Sequence, residues 1–246
     1  MKVIFAGYRK WSYTILKNLL KKKSKLWEIS AIITTDGAEA PFNKLPLHSF
    51  IENPKKLDDP KVLKKILRIH PDVFLFYGWS WMIPKKLYEN FPCIVLHPSP
   101  LPKYRGGSPL QNQIMKGEEK SAVTLFKVGE KIDNGPIYVQ KEFSLSGTLD
   151  NVFSRIVTTG TSLTKKVLDR MAKNSITPFT QNEKEATEYK RRSPKESEIT
   201  IQDFKKKTAR ELYNFIRALA DPYPNAFFVC KDGKKIIFKE IEIEND

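Results

Sequence analysis

The sequence predicts an α/β protein: a mainly parallel sheet with helices on both faces, followed by a small C-terminal helix and β-hairpin extension. Three observations carry this. Short, β-rich apolar runs alternate with helical patterns through the first half of the chain. A long amphipathic pattern follows from Leu149 to Met171. A polar, charged stretch around 174–198 then separates that body from a second set of helix and strand signals. The division expected is a main domain over 1–175 and a short extension over 176–246.

Taken in order, strands are expected at 2–6 (KVIFA), 29–34 (ISAIIT), 72–77 (DVFLFY) and 93–97 (CIVLH), because continuous apolar runs of this length suit strands covered on both faces. Helical patterns lie between them at about 11–22, 60–69 and 84–90, and the Pro-, Asn- and Asp-rich segment 35–58 reads as irregular connection. Ser108-Pro109 and Gly117 bracket a short helix as cap and stop. Two more strands, 122–128 and 136–145, are joined through Asp133-Asn134-Gly135. Thr148 caps the long helix, whose apolar face is Leu149, Val152, Phe153, Ile156, Leu163, Val167, Leu168 and Met171. Beyond 198 come a helix at about 208–219 and a hairpin around Asp232-Gly233.

Composition bounds the function. The chain of 246 residues carries a formal net charge of +15, which favours an anionic partner such as nucleic acid, a phosphate-bearing metabolite or a polyglutamated cofactor. Solvated lysine on helix faces explains clusters such as Lys205-Lys206-Lys207 equally well. No run reaches the apolar length of a bilayer span, so no membrane partner is expected. The start, Met1 to Gly7, reads as a strand and not as a secretory signal, which implies a cytoplasmic location. Cys93 and Cys230 read as two buried free thiols. Three widely separated histidines, His48, His70 and His97, imply no metal site.

Two segments carry chemistry. The first runs Leu96-His97-Pro98-Ser99-Pro100-Leu101-Pro102-Lys103-Tyr104-Arg105-Gly106-Gly107, a buried strand ending in a histidine and followed by a proline-stiffened loop. Strand carboxyl ends are where open α/β sheets bind ligands. The second is Glu130-Lys131-Ile132-Asp133-Asn134-Gly135-Pro136-Ile137. By itself Asp-Asn-Gly is a turn; with His97 it supplies a carboxylate to set beside an imidazole. The first β-to-α junction, Gly7-Tyr8-Arg9-Lys10, lacks the other glycines of a dinucleotide fingerprint, yet a helix N-terminus with two bases suits phosphate, and a plain turn suits it equally.

These motifs, together and in this order, resemble the folate-dependent formyltransferases, a family with a Rossmann-like sheet. The resemblance covers roughly 1–175 and is densest from Phe74 to Tyr138. It implies transfer of a formyl group from 10-formyltetrahydrofolate to a primary amine, without a metal. His97 would help hold the oxyanion and shuttle a proton, and Asp133 would orient water or the imidazole and accept the amine's proton. Tyr77, Gly78, Trp79, Met82, Ile132 and Asp133 would flank the pterin. Tyr8, Arg9, Lys10, Tyr104, Arg105, Gly106, Tyr223 and Asn225 would bind the acceptor. The Tyr223-Pro224-Asn225-Ala226-Phe227 region is most like the nucleotide-sugar N-formyltransferases. The acceptor expected is therefore a nucleotide-linked amino deoxysugar, such as a dTDP-4-amino-4,6-dideoxyhexose of surface-polysaccharide synthesis. A homodimer through the C-terminal strands is compatible with this, and a nucleic-acid partner is not expected. The alternatives are methionyl-tRNA as acceptor, or a folate- or nucleotide-sugar-binding homologue without turnover. The last rests on Val95, where the family usually has an asparagine that faces the site together with His97; Ser80, Ser99 and Asn112 are the candidates to replace its donor.

Overall fold

Continuous burial decides where the strands fall. The computed structural model describes residues 1–246 apart from 22–23, 36, 46–49, 53–56 and 245–246. His48 lies outside the described residues. Strand β1 (Lys2–Ala6) is buried throughout except Lys2, and β4 (Val73–Tyr77) is buried at every position. With β2 (Glu28–Thr34), β3 (Phe50–Glu52), β5 (Cys93–His97), β7 (Lys120–Lys127) and β8 (Ile137–Ser144) they form a seven-stranded sheet in the order β3-β2-β1-β4-β5-β7-β8. The first five pair in parallel; β7 and β8 run antiparallel at one side. Chain order reverses around β1, whose neighbours are β2 and β4, so the crevice at the carboxyl ends of β1 and β4 is the topological switch point.

One face is covered by α1 (Lys10–Lys21) and α5 (Leu149–Ala172), which bury Ile15, Leu16 and Leu19 against Val152, Ile156 and Val167. Gly160 permits the close approach: a β-carbon there would lie 2.7 Å from Leu96 and 3.0 Å from Ile15. Thr148 opens α5 as expected, in a reciprocal capping box with Asn151. The opposite face meets α2 (Pro60–Leu67) and α3 (Lys85–Tyr88), which contribute Ile66 and Leu87 to a core with Phe74, Phe76 and Cys93. Asp59 caps α2 by accepting from the Lys61 amide at 2.7 Å.

Four expectations change. The segment 35–58 is not wholly irregular: Phe42–Lys44 forms a turn of 3₁₀ helix that buries Phe42, and β3 adds to the sheet edge. Ser108 precedes α4 (Pro109–Met115) but makes no cap bond; it has left-handed backbone (φ +52°), and its hydroxyl accepts from the Arg192 amide instead. Two helices follow Thr200, α6 (Ile201–Lys206) and α7 (Ala209–Ala218), where one was expected. Cys230 is half-buried and not enclosed like Cys93. The hairpin is present as β10 (Phe227–Val229) and β11 (Lys235–Ile237). α7 packs on α4, with Ile199, Ile216, Leu219 and Ala226 enclosing a small second core that reaches Met115.

The polar stretch after α5 lies along the main body. Phe179 bridges to Ile137, and β9 (Glu188–Tyr189) pairs in parallel with β6 (Arg105–Gly106).

Candidate active site

Alternation along β5 sends Cys93, Val95 and His97 to the face shared with Phe74 and Phe76. His97 ends the strand and is 6% exposed. Its Nε2 lies 2.8 Å from the Tyr104 carbonyl. A carbonyl only accepts, so Nε2 carries a proton and donates it. Nδ1 is then the nitrogen turned to chemistry, and it faces Asp133 Oδ2 at 3.4 Å. The same carboxylate oxygen accepts from the Gly106 amide at 2.8 Å. Asp133 has left-handed backbone, φ +49°, which aims its side chain back over the sheet from the β7–β8 connection. Gly135 makes room for that turn, since a β-carbon there would fall 1.7 Å from the Lys127 carbonyl.

The loop that roofs the pair is held from both sides. Ser99 Oγ donates to the Lys103 carbonyl at 2.9 Å, Thr124 Oγ1 donates to the Ser99 carbonyl at 2.7 Å, and Gln140 Nε2 donates to the Leu101 carbonyl at 3.0 Å. From above come residues of the post-α5 segment. The Thr187 carbonyl accepts from the Arg105 amide at 2.9 Å, and the Tyr189 carbonyl accepts from the Gly107 amide at 2.7 Å. Tyr189 stacks on Tyr104 with ring centres 5.2 Å apart and 13° between planes, and Lys116 caps both rings.

The structure separates the expected site residues into four groups, the last of them at the switch point. His97, Asp133 and Gly106 come together in one cluster, Gly106 through its amide bond to the carboxylate and His97 through the 3.4 Å approach of Nδ1. Trp79 lies on the same face as Val95, packed edge-on against Phe76 and Trp81; its Nε1 is buried without a partner. Met82 and Ile132 present apolar side chains that are 79% and 50% exposed. The third group does not face the pair. Tyr77 points to the opposite side of the sheet, fully buried against α5 with its hydroxyl 2.7 Å from Thr164 Oγ1, because strand alternation gives the histidine's face to Phe76. Burial raises the Tyr77 phenol above its ordinary range. Tyr104 turns its ring under Tyr189 and its hydroxyl to Glu118 at 2.6 Å; burial, then Glu118, raises that phenol too. Arg105 spends its guanidinium on Gln181 and Glu183. Asn225 donates to the Leu219 carbonyl at 2.9 Å, closing the end of α7. The side chains of Tyr77, Arg105 and Asn225 are thus engaged within the protein in this structure.

A second cluster occupies the switch point. The Tyr8 hydroxyl is 2.5 Å from Ser80 Oγ, Arg191 donates to the same oxygen at 2.8 Å, and Trp81 lies 5.0 Å from the Tyr8 ring. Arg9 sits 4.6 Å over that ring and pairs with Glu39, which also accepts from the Lys10 amide at 3.1 Å. Gly78 leaves space for Arg9, whose Cγ a side chain there would meet at 2.8 Å. Burial lowers the Arg9 pKa, but the neighbouring Tyr8 and Glu39 outweigh it and hold the guanidinium above its usual value. Burial pushes the Tyr223 phenol up to about 12, against the opposing pull of Arg9 and Arg191. Glu39, Gln181, Thr187 and Arg191 were not singled out from the sequence; each is a polar residue in a loop, without a local pattern to mark it.

None of the three candidates to replace the missing asparagine is free. Ser80 belongs to the Tyr8 cluster, Ser99 holds the roof loop, and Asn112 donates to the Gly107 carbonyl at 3.2 Å. Val95 packs with Leu101, Phe126 and Ile137 and offers no hydrogen. Among the described residues no group of three or more His, Cys, Asp and Glu side chains gathers as a metal site, and no helix is long and apolar enough to cross a membrane.

An imidazole with one nitrogen fixed by a carbonyl and the other against a carboxylate, at the carboxyl end of an open α/β sheet, is an arrangement chemically able to pass a proton. The chain belongs to the formyltransferase family: the formyl transferase model matches residues 1–168 and the formyl transferase C-terminal domain matches 194–246. It is 30% identical over 203 residues to a methionyl-tRNA formyltransferase of Ehrlichia canis, a match covering 76% of this chain and 66% of that protein. A methionyl-tRNA formyltransferase structure from Clostridium thermocellum aligns over 100% of both chains at 30% identity with a TM-score of 0.72. The fold is also shared with a sugar N-formyltransferase from Shewanella sp. FDAARGOS_354, at 21% identity and a TM-score of 0.79, covering 100% of this chain and 99% of that one.

Proposed function

We propose that the protein transfers a formyl group from 10-formyltetrahydrofolate to a primary amine, and that the amine is that of methionyl-tRNA. The observation that carries the transfer is the His97 Nδ1–Asp133 Oδ2 approach of 3.4 Å beneath the roof loop. The folate supplies an activated formyl carbon. Trp79, Met82 and Ile132 fit its flat heteroaromatic ring, with the unpartnered Trp79 Nε1 free to donate to a ring acceptor.

Asp133 and His97 Nδ1 take the proton that the amine gives up as its nitrogen bonds to the formyl carbon, and return it to the departing folate nitrogen. The Gly106 amide keeps the carboxylate aimed at the imidazole throughout. Negative charge on the formyl oxygen needs donors. Val95 provides none and Nε2 of His97 is committed to Tyr104, so the rate is expected to be about a hundred- to a thousandfold below that of a site with its asparagine.

The acceptor assignment departs from the nucleotide sugar expected from sequence. Two named methionyl-tRNA formyltransferases are similar to the chain at 30% identity, and a net charge of +15 suits RNA. The nucleotide-linked amino sugar stands as the second reading because of the Tyr8–Trp81–Tyr223 aromatics with Arg9 and Arg191 at the switch point, a combination that suits a base and a pyrophosphate. The test offers the formyl donor with methionyl-tRNA and, separately, with nucleotide-linked amino sugars, and follows the mass of each acceptor. Formylated methionyl-tRNA is expected. Formylated sugar with unmodified tRNA would replace the first reading by the second, and no product in the presence of bound folate would leave a binding protein.

A further inference from the structure

We propose that Gln181, from the segment after α5, is a positioning residue that holds Asp133 against His97; this rests on the reading of that pair as the proton relay. The geometry is a closed ring. Gln181 Nε2 donates to the Asp133 carbonyl at 2.8 Å and to the Gly135 carbonyl at 2.7 Å. Its Oε1 accepts from Arg105 Nε at 3.1 Å and from Arg105 Nη2 at 2.8 Å. Arg105 is followed in the chain by Gly106, whose amide donates to Asp133 Oδ2 at 2.8 Å. One glutamine thus grips the main chain of Asp133 on one side and the residue adjoining its carboxylate's donor on the other.

The ring answers a need. Asp133 sits at a left-handed φ of +49°, a conformation that costs free energy for a residue with a β-carbon and persists where surroundings enforce it. Gln181 uses both amide hydrogens and its oxygen in doing so, and Arg105, 6% exposed, gives two further hydrogens to Glu183. The neighbouring residues add a second hold on the roof: Thr187 Oγ1 accepts from the Tyr104 amide at 2.8 Å, and Gln181 and Thr187 lie in the same stretch of chain. The segment after α5 is therefore part of the catalytic apparatus, acting through Asp133 and not on substrate.

Two substitutions separate this role from simple support of Arg105. Gln181→Glu keeps an acceptor for Arg105 and loses both donors to the Asp133 turn; Gln181→Met keeps length and loses all four bonds. For both, kcat is expected to fall about ten- to a hundredfold while each KM stays within about twofold. Hydrogen exchange at the Gly106 amide is expected to accelerate in both, and the melting temperature of Gln181→Glu is expected to fall by a few degrees for the two bonds lost. Parental kcat and Gly106 protection in folded Gln181→Glu would overturn the proposal and leave Gln181 as an anchor for Arg105 alone. Asp133→Asn is measured beside them. If that variant keeps the parental kcat, the relay reading itself fails, whereas loss in Asp133→Asn without loss in Gln181→Glu or Gln181→Met refutes only the positioning role.

Discussion

Replacing Gly106 by alanine tests how tightly the roof loop is clamped. Gly106 has φ +85°, so alanine there costs about 1–2 kcal/mol from backbone strain before any contact is counted. Its new β-carbon would stand 2.4 Å from the Tyr189 carbonyl oxygen, against 3.4–4 Å for ordinary contact. Relief requires β6 and β9 to part by about 1 Å, a displacement large enough to cost about a hundredfold in rate when it moves a reacting group. The bonds at risk are Arg105 amide to Thr187 carbonyl, 2.9 Å, Gly107 amide to Tyr189 carbonyl, 2.7 Å, and Gly106 amide to Asp133, 2.8 Å. At about 1 kcal/mol each they bring the expected loss to about 4–5 kcal/mol, or roughly 10 °C and more in melting temperature for a chain of this size. Gly117 is the internal control: φ is +79°, yet nothing lies within 4 Å of its β-carbon position. Gly117→Ala should lose only the strain, a few degrees, with unchanged kcat. Thermal melting and initial rates of formyl transfer on both variants decide the matter. Equal losses in the two would refute the clamp, because strain alone would then account for Gly106.

Other expectations follow from the same geometry. Val95→Asn places an amide on the His97 face among Leu101, Phe126 and Ile137; kcat should rise about a hundredfold or more, with melting lowered by a few degrees for the polar group buried there. An unchanged kcat with folate still bound would mean that position 95 does not reach the reacting oxygen. Arg9→Ala and Arg191→Ala distinguish acceptors: a KM increase for a nucleotide sugar supports the second reading, whereas binding of tRNA should fall with salt at a slope that shrinks by up to about 0.9 for each phosphate contact removed. Acid should loosen the C-terminal part first. Glu183 is held below its ordinary 4.5 by Arg105, Glu196 and Glu211 by backbone donors at Ser193 and Thr208, and Asp203 is lowered to about 2 by Thr200. Depressed folded values mean that this stability is present above the ordinary carboxylate range and is lost as pH falls through about 4 towards 2. Hydrogen exchange at pH 3 should therefore accelerate in α6 and α7 before β4, and uniform exchange would contradict it.

The central strands were legible because β1, β2, β4 and β5 lie under helices on both faces and read as unbroken apolar runs. β3 was not, since three residues at a sheet edge carry too little pattern. α6 does carry a local signal: Thr200-x-x-Asp203 and Thr208-x-x-Glu211 are successive capping boxes, set directly after a polar stretch that reads as linker. The approach of Asp133 to His97 was foreseen from two motifs read together. Tyr77 lies on the face opposite His97, because strand alternation sends Phe76 to the histidine's face. The contributions of Gln181, Thr187 and Arg191 were illegible for a different reason. They act through side-chain bonds across 46 to 111 positions of chain, from a segment whose polarity reads as linker.

The central claim is that this chain moves a formyl group onto an amine at the His97–Asp133 pair. Mass spectrometry after incubation with 10-formyltetrahydrofolate and methionyl-tRNA tests it most directly, with Asp133→Asn alongside and nucleotide-linked amino sugars as the parallel acceptors. One formyl group on the methionyl amine is expected with the parent protein, and a deep loss with Asp133→Asn. A formyl group on a sugar alone would keep the chemistry and change the acceptor; no formylated amine from any acceptor, with folate bound, would contradict the claim.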